Sequence, residues 1–314
     1  MPIQRLETQI RDRINGRRKQ HQLLGRGADW NKLCSALDVI GDTELGLDAY
    51  LNHPGVEDHG LCYLHVYGAL QLLQTQQDAT AQICSALGIR PQASPKLPEV
   101  REVRSSAVAH ATAQQEDKTT KSNFIVRSSL SQHGFVLMTV FSDERQFVQR
   151  DVSIPKLVEQ QRTALSRTLE EVLCVLDEEE MKHREQFRDE KLTGCFPPTL
   201  SYHFSKIYEA VHRADYYPLG GINVDVVAEC LTKMKALLER RGEWGIYDSV
   251  NYEYELLEYP LAELKLFFSG QGTSKLNARD AHIFCAFVRE QFKSLEKIAR
   301  EFDEQYGSSP SEGG

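Results

Sequence analysis

Within the stretch Glu99-Val100-Arg101-Glu102-Val103-Arg104-Ser105-Ser106-Ala107-Val108-Ala109-His110, an arginine and a histidine, Arg104 and His110, stand with five residues between them. An arginine holds an anionic oxygen through a fork of N–H donors, and a histidine moves a proton near neutral pH. Side by side they suit chemistry at a phosphodiester. The stretch is rich in helix formers and follows Pro98, as helix starts often do, so it is predicted to be helical. Six residues of α-helix turn about 600° and rise about 9 Å, which leaves the two side chains about 120° apart. They do not touch, but both can border one pocket if their face looks into a cleft. Arginine and histidine also meet at this spacing by chance in many helices, so the surrounding elements have to decide between the readings.

The clearest of those elements is a long helix predicted over residues 59–87, closed by Gly88. Leu61, Leu64, Gly68 and Leu72 follow a 3-4-4 spacing, with Leu70, Leu73 and Gln77 on the neighbouring row. Gln74, Gln76, Gln77 and Asp78 then interrupt the apolar pattern before Ile83 and Leu87 resume it. Such a cluster marks either a solvent-exposed face or the lining of a polar cleft. Pro91, Pro95 and Pro98 make residues 89–98 a linker, and the polar residues 113–122 read as a loop. Over 123–141 the period changes to two. Residues 124–129 and 135–141 read as the strands of a β-hairpin, with Ser131-Gln132-His133-Gly134 as its turn, the only strong β signal in the chain.

Upstream, seven basic residues face two acidic ones in residues 1–28, a net of +5. That segment reads as a solvated or capping helix, with a phosphate-contacting arm as the alternative. Residues 29–52 read as a helix interrupted at Gly41 and Gly46, followed by a turn at Pro54-Gly55. Residues 153–190 read as a long charged helix with Leu157, Leu165, Leu169, Val172 and Leu176 on one face and Asp177–Glu180 solvated. Gly194 and Pro197-Pro198 suggest a domain boundary. Beyond it, 199–306 is predicted as helices near 199–213, 223–241, 248–268 and 277–305, separated by Gly220-Gly221, Gly242 and Gly270/Gly272. Residues 307–314 have the composition of a disordered tail. The expected organisation is a basic N-terminal helix (1–28), a helical bundle carrying the hairpin (29–192) and a C-terminal helical region (199–306).

The 314 residues carry a net charge of -8, so there is no global footprint for nucleic acid and any such site must be local. Seven dispersed cysteines without C-x-x-C spacing argue against disulfides and zinc, and most fall in apolar runs as small core residues. Mean hydropathy is -0.44 and no apolar run is long enough to span a bilayer, so a cytoplasmic protein without membrane contact is expected. His183, His203, His212 and His282 lack metal-ligand spacing, and phosphate-binding loops and nucleophile elbows are absent from the sequence. Tyr247, Tyr252, Tyr254 and Tyr259 read as helix-packing aromatics, with a partner groove as the alternative.

Two stretches together resemble one branch of the HEPN superfamily. Tyr63–Ala79 is similar to its long helix. Arg101–His110 is similar to its signature, an arginine, a polar residue and a histidine after a short gap; the hairpin that follows is also similar. The resemblance spans roughly residues 30–190 and departs at Ser105, where asparagine, aspartate or histidine is usual. It implies an α-helical bundle that dimerises so that two Arg-His motifs form one composite site, and a metal-independent, cofactor-free endoribonuclease of the toxin or anti-phage defence kind, paired with an antitoxin or defence partner. Carried over, His110 acts as general base on a ribose 2′-OH or general acid on the leaving 5′-oxygen. Arg104 holds the scissile phosphate of an RNA such as tRNA or mRNA, and the product is a 2′,3′-cyclic phosphate. Ser105 orients the phosphate, Gln77 and Asp78 line the cleft with Arg101 close by, and Asp78 fixes the tautomer of His110. Some members of the superfamily are inactive modules that bind RNA or a partner protein. A purely structural reading also stands, in which Arg104 pairs with Glu102 or Asp78 and His110 only packs. The 199–306 region would regulate, recognise a target or extend the dimer.

Overall fold

The computed structural model describes residues 2–92, 94, 96–109, 114–116, 119–142, 147–270 and 274–307. His110 and the 308–314 part of the expected tail lie outside the described residues. The protein is mainly helical with a small antiparallel sheet. Two compact units divide the chain, one ending at Glu178 and the other beginning at Glu179.

The first unit contains α1 (Pro2–Ile14), α2 (Arg17–Leu24), α3 (Gly27–Asn52), α4 (His59–Leu87), α5 (Lys96–Arg104) and most of α6 (Ile154–Phe187). It also holds strands β1 (Gln114–Glu116), β2 (Thr119–Ile125), β3 (Gly134–Phe141) and β4 (Phe147–Ser153). The basic N-terminal helix is amphipathic. Ile3, Leu6, Ile10 and Ile14 are buried against α3, while Arg11 and Arg13 form ion pairs with Asp38 and Asp177 at 2.6 and 2.5 Å. The helix expected over 59–87 has those bounds. Asp58 caps it by accepting from Leu61 N at 2.8 Å, and Gly88 closes it with φ +69°.

Three expectations change. First, α3 runs unbroken through Gly41 and Gly46. A Cβ at Gly46 would lie 2.7 Å from Leu72 Cδ1, so glycine here serves the close approach of α4 rather than a break. Second, the hairpin is part of a four-stranded sheet in the order β1-β2-β3-β4, with Ile125 opposite Leu137 and Leu137 opposite Arg150; β1 and most of β2 occupy the residues expected as a loop, and Arg127–Ser129, expected to extend the strand, form a 3-10 turn. Phe147–Ser153 lacks clean apolar alternation because only Val152 on it is buried, which hid β4 from the sequence. Third, the first half of the apolar stripe of α4 that follows the 3-4-4 spacing faces outward, and only Leu72 at its end packs inward, against α3. Leu61 and Leu64 are 48% and 68% exposed, while Val66, Leu70 and Leu73 on the neighbouring rows are buried.

The sheet has one tight point. A Cβ added at Gly134 would sit 2.3 Å from the Val152 carbonyl oxygen, a backbone atom that cannot rotate away. Gly134→Ala is therefore expected to spread β3 from β4 and cost about 2–3 kcal/mol. A lower denaturation midpoint with an unchanged slope checks it; an unaltered midpoint would refute the contact.

The second unit packs α7 (Leu200–Val211), α8 (Tyr217–Arg241), α9 (Asp248–Ser269) and α10 (Ala278–Gly307), each helix touching the next and α10 returning to α7. Gly220-Gly221 lies inside α8 instead of separating helices. A Cβ at Gly220 would be 2.5 Å from the Phe268 ring and 2.8 Å from Ala210 Cβ, so the missing side chain lets three helices meet. Gly242 and Gly270 do end helices, with φ +66° and +68°. Leu192 and Cys195 belong to this unit's core. Tyr247 and Tyr254 pack against Phe302 and Trp244, whereas Tyr252 and Tyr259 are each 61% exposed. Arg241 is buried at the end of α8, under the Tyr306 ring and beside Glu243 and Asp303 at 4.0 and 3.7 Å, so its charge is compensated. His183 joins that cluster through the Arg241 carbonyl at 2.9 Å.

All seven cysteines are free, and Cys62, Cys84, Cys195, Cys230 and Cys285 are buried. Burial pushes the Cys84 thiol up to about 11 and the Cys285 thiol to about 12, which suits small core residues.

Candidate active site around Arg104

Helix α5 inserts Val100 and Val103, and just beyond it Ala107, into the core formed with α4 and the sheet. Burying that face leaves Arg101 and Arg104 on its flank, in the last turn, where the helix dipole favours cations. The helix does not continue as an α-helix to His110. At Ser105 it widens into a π-helical turn, Ser105–Ala109. Serine side chains compete for backbone hydrogen bonds, and the Ser105-Ser106 pair is where the ladder changes. The 600° estimate for Arg104 and His110 therefore does not apply. Such single π turns recur at functional sites.

The structure brings Arg101, Gln77 and Asp78 together. Arg101 Nε donates to Gln77 Oε1 at 2.7 Å, and an Nη of Arg101 reaches Asp78 Oδ1 at 2.7 Å. Asp78 also accepts from Gln74 at 2.9 Å. Arg104 stands apart from that group. Its Nη2 donates to Gln71 Oε1 at 2.9 Å, and its buried Nε has no hydrogen-bond partner among the described residues. Ser105 is half-buried at the first position of the π turn.

The carboxylates that a structural reading assigned to Arg104 are otherwise engaged. Asp78 belongs to Arg101, and Glu102 faces Arg150 Nη1 at 3.7 Å, where Glu99 also pairs at 2.6 Å. Among the described residues Arg104 has no ion pair, in contrast to Arg101, Arg150 and Arg162. A half-buried guanidinium without a carboxylate is free to take an anionic oxygen from outside.

The cluster splits between two faces: Asp78 is exposed with Gln74 half-buried beside it, while Gln76 and Gln77 turn into the bundle. Gln76 is fully buried and Gln77 nearly so. Both belong to a polar layer across the bundle. Gln76 donates to Glu44 on α3 at 2.7 Å, and Gln161 on α6 donates to Gln76 at 2.8 Å and to the Leu73 carbonyl at 3.0 Å. Gln77 donates to Gln161 Oε1 at 2.7 Å. At the far end Arg162 clamps Glu44 and Asp48 at 2.9 and 2.5 Å and lines a pocket of about 290 Å³ with Leu51, Pro155 and Glu159. The layer separates an N-terminal core around Ile10, Ile40, Ile83 and Leu169 from the core around Leu47, Leu73, Val103 and Phe135. Its near end holds Arg101, one turn before Arg104, so Gln77 anchors the helix that carries the site.

Gln71, Glu44 and Gln161 were not singled out in the sequence. Gln161 had a visible signal, since it occupies the slot midway between Leu157 and Leu165 on the apolar row of α6. Glu44 interrupts the row between Ile40 and Leu47 in the same way.

Among the described residues no three His, Cys, Asp or Glu side chains are grouped as a metal site, and no described helix is long and apolar enough to cross a membrane. Comparison with known proteins returns no matching family model, no similar curated protein and no similar solved structure.

Proposed function

We propose that the first unit is a HEPN-type, metal-independent endoribonuclease, with Arg104 binding the scissile phosphate and His110 transferring the proton. The observation that carries this reading is the state of Arg104, which lacks a carboxylate partner among the described residues while the acids around it serve Arg101 and Arg150. The phosphate takes the place a carboxylate would otherwise hold. One His110 withdraws the proton from the 2′-OH, the 2′-oxygen attacks phosphorus, and the P–O5′ bond breaks as the partner's His110, protonated beforehand, gives its proton to the leaving 5′-oxygen, yielding a 2′,3′-cyclic phosphate. The composite site of the resemblance needs two copies. Leu61, Leu64 and Gly68, exposed on the side of α4 that also carries Gln71, offer an apolar surface suited to a second copy. The corresponding biological role is that of a toxin or anti-phage effector.

The test incubates purified protein with total RNA and tRNA in EDTA and maps the ends. Cleavage leaving cyclic phosphate, lost in His110→Ala, supports the proposal. Binding of RNA without cleavage would replace it with an inactive binding module, and neither binding nor cleavage would overturn it. Sedimentation of wild type beside Leu64→Asp tests the dimer; a monomeric wild type would remove the composite site.

A further inference from the structure

Along one side of α4, at one-turn steps, stand Tyr63, Tyr67, Gln71, Gln74 and Asp78. The lower half of this row receives the two arginines of α5, Arg104 on Gln71 and Arg101 on Asp78. The upper half is aromatic. Tyr63 and Tyr67 have ring centroids 5.6 Å apart at 71°, and both are half-buried, resting on the core through one side. Burial, and then the neighbouring Tyr63, raise the Tyr67 hydroxyl above its ordinary pKa, so it stays neutral at any physiological pH. A buried tyrosine hydroxyl usually finds a hydrogen-bond partner within the protein. Neither hydroxyl here bonds to another described residue. Neither is a buried unpartnered atom, so the core uses the ring bodies and leaves the polar ends at the rim, Tyr67 about 6 Å and Tyr63 about 12 Å along the helix from Gln71.

We infer that Tyr63 and Tyr67 are a base-stacking platform for the single-stranded nucleotides adjoining the phosphate held by Arg104. This inference rests on the ribonuclease reading and adds a substrate class to it: unpaired RNA, recognised by stacking instead of by base identity. Every base has a π-face, so stacking on aromatic side chains is tolerant of sequence. A guanidinium and aromatic rings on one helix row match the alternation of phosphate and base along a strand. A base already stacked within a duplex cannot use the platform without unpairing.

The test measures binding in EDTA of a short mixed-sequence RNA oligomer with 2′-O-methyl riboses, which cannot be cleaved. The same strand is offered in three forms: with bases, abasic throughout, and annealed into duplex. Tyr63→Leu/Tyr67→Leu keeps the apolar bulk that the core uses, and Tyr63→Phe/Tyr67→Phe keeps the rings. The leucine pair is expected to lose roughly five- to hundredfold in affinity for the single strand while leaving the abasic strand unchanged. The phenylalanine pair stays near wild type, and wild type prefers single strand to duplex. Equal affinity of the leucine pair and wild type for the single strand would overturn the platform, and so would an equal loss on the abasic strand. If Arg104→Ala still weakens binding in either case, the ribonuclease reading stands and only the platform falls. Wild type that binds none of the three forms overturns both.

Discussion

Arg104→Ala protein is expected to cleave RNA at one hundredth to one thousandth of the wild-type rate while remaining folded. Removing one preorganised donor from a developing oxyanion typically costs this much, about 2.7–4 kcal/mol of transition-state stabilisation. The expected stability cost is smaller. Arg104 makes one hydrogen bond, to Gln71, and no ion pair among the described residues, so its loss removes only about 0.5–1.5 kcal/mol from folding. The two costs differ by about 1–3.5 kcal/mol, and that disparity separates a substrate-binding arginine from a structural one. Arg104→Lys sharpens the test. It keeps the charge but loses the planar fork, and should recover only part of the activity. Rates measured in EDTA on one RNA, with melting curves beside them, decide the matter. An Arg104→Ala enzyme that cleaves like wild type would remove Arg104 from the site.

The second large effect concerns Gln161→Leu. Helix periodicity alone recommends the change, since leucine would complete the row from Leu157 to Leu165. The structure requires the opposite sign. Gln161 is fully buried and satisfies three groups at once: the Leu73 carbonyl, Gln76 Oε1 and the Gln77 amide. Leucine leaves these without their partner inside the bundle, at about 1–3 kcal/mol for each group that finds no substitute. A loss of about 3 kcal/mol is expected, which for a unit of this size lowers Tm by roughly 6–12 °C. Because Gln77 also holds Arg101, RNA cleavage should fall further than stability predicts at temperatures where the variant is folded. Calorimetry checks the first part, and an unchanged or raised Tm would sink the network as a stabilising layer. Replacing Glu44, Gln76, Gln77 and Gln161 together by apolar residues should cost less than Gln161→Leu alone, because no half of the network is then left unsatisfied.

Much of the scaffold was legible without coordinates. The bounds of α4, the extent of α6 and the caps at Gly88, Gly242 and Gly270 follow from local rules of period and capping, whereas the strand register does not: a turn at 131–134 would set Phe124 opposite Phe141, and it pairs with Met138 instead. That Arg104 can offer a donor fork to an anion was legible too, because the fork is a property of the residue. Other features depended on distant partners. Gly46 and Gly220 read as breaks along the chain, yet each proved to be a point where another helix comes close. The two apolar rows of α4 are equally apolar in sequence, and only the packing of α3, α5, α6 and the sheet determines that Val66, Leu70 and Leu73 turn inward while Leu61 and Leu64 face out. The glutamines of α4 are polar residues whose burial becomes affordable only when Glu44, Gln161 and Arg101 arrive from three other helices to satisfy them. Side-chain type and short-range period determine which helices form and which groups can do chemistry. Which face is buried, and which arginine is left without a carboxylate, is decided by contacts between residues far apart in the chain.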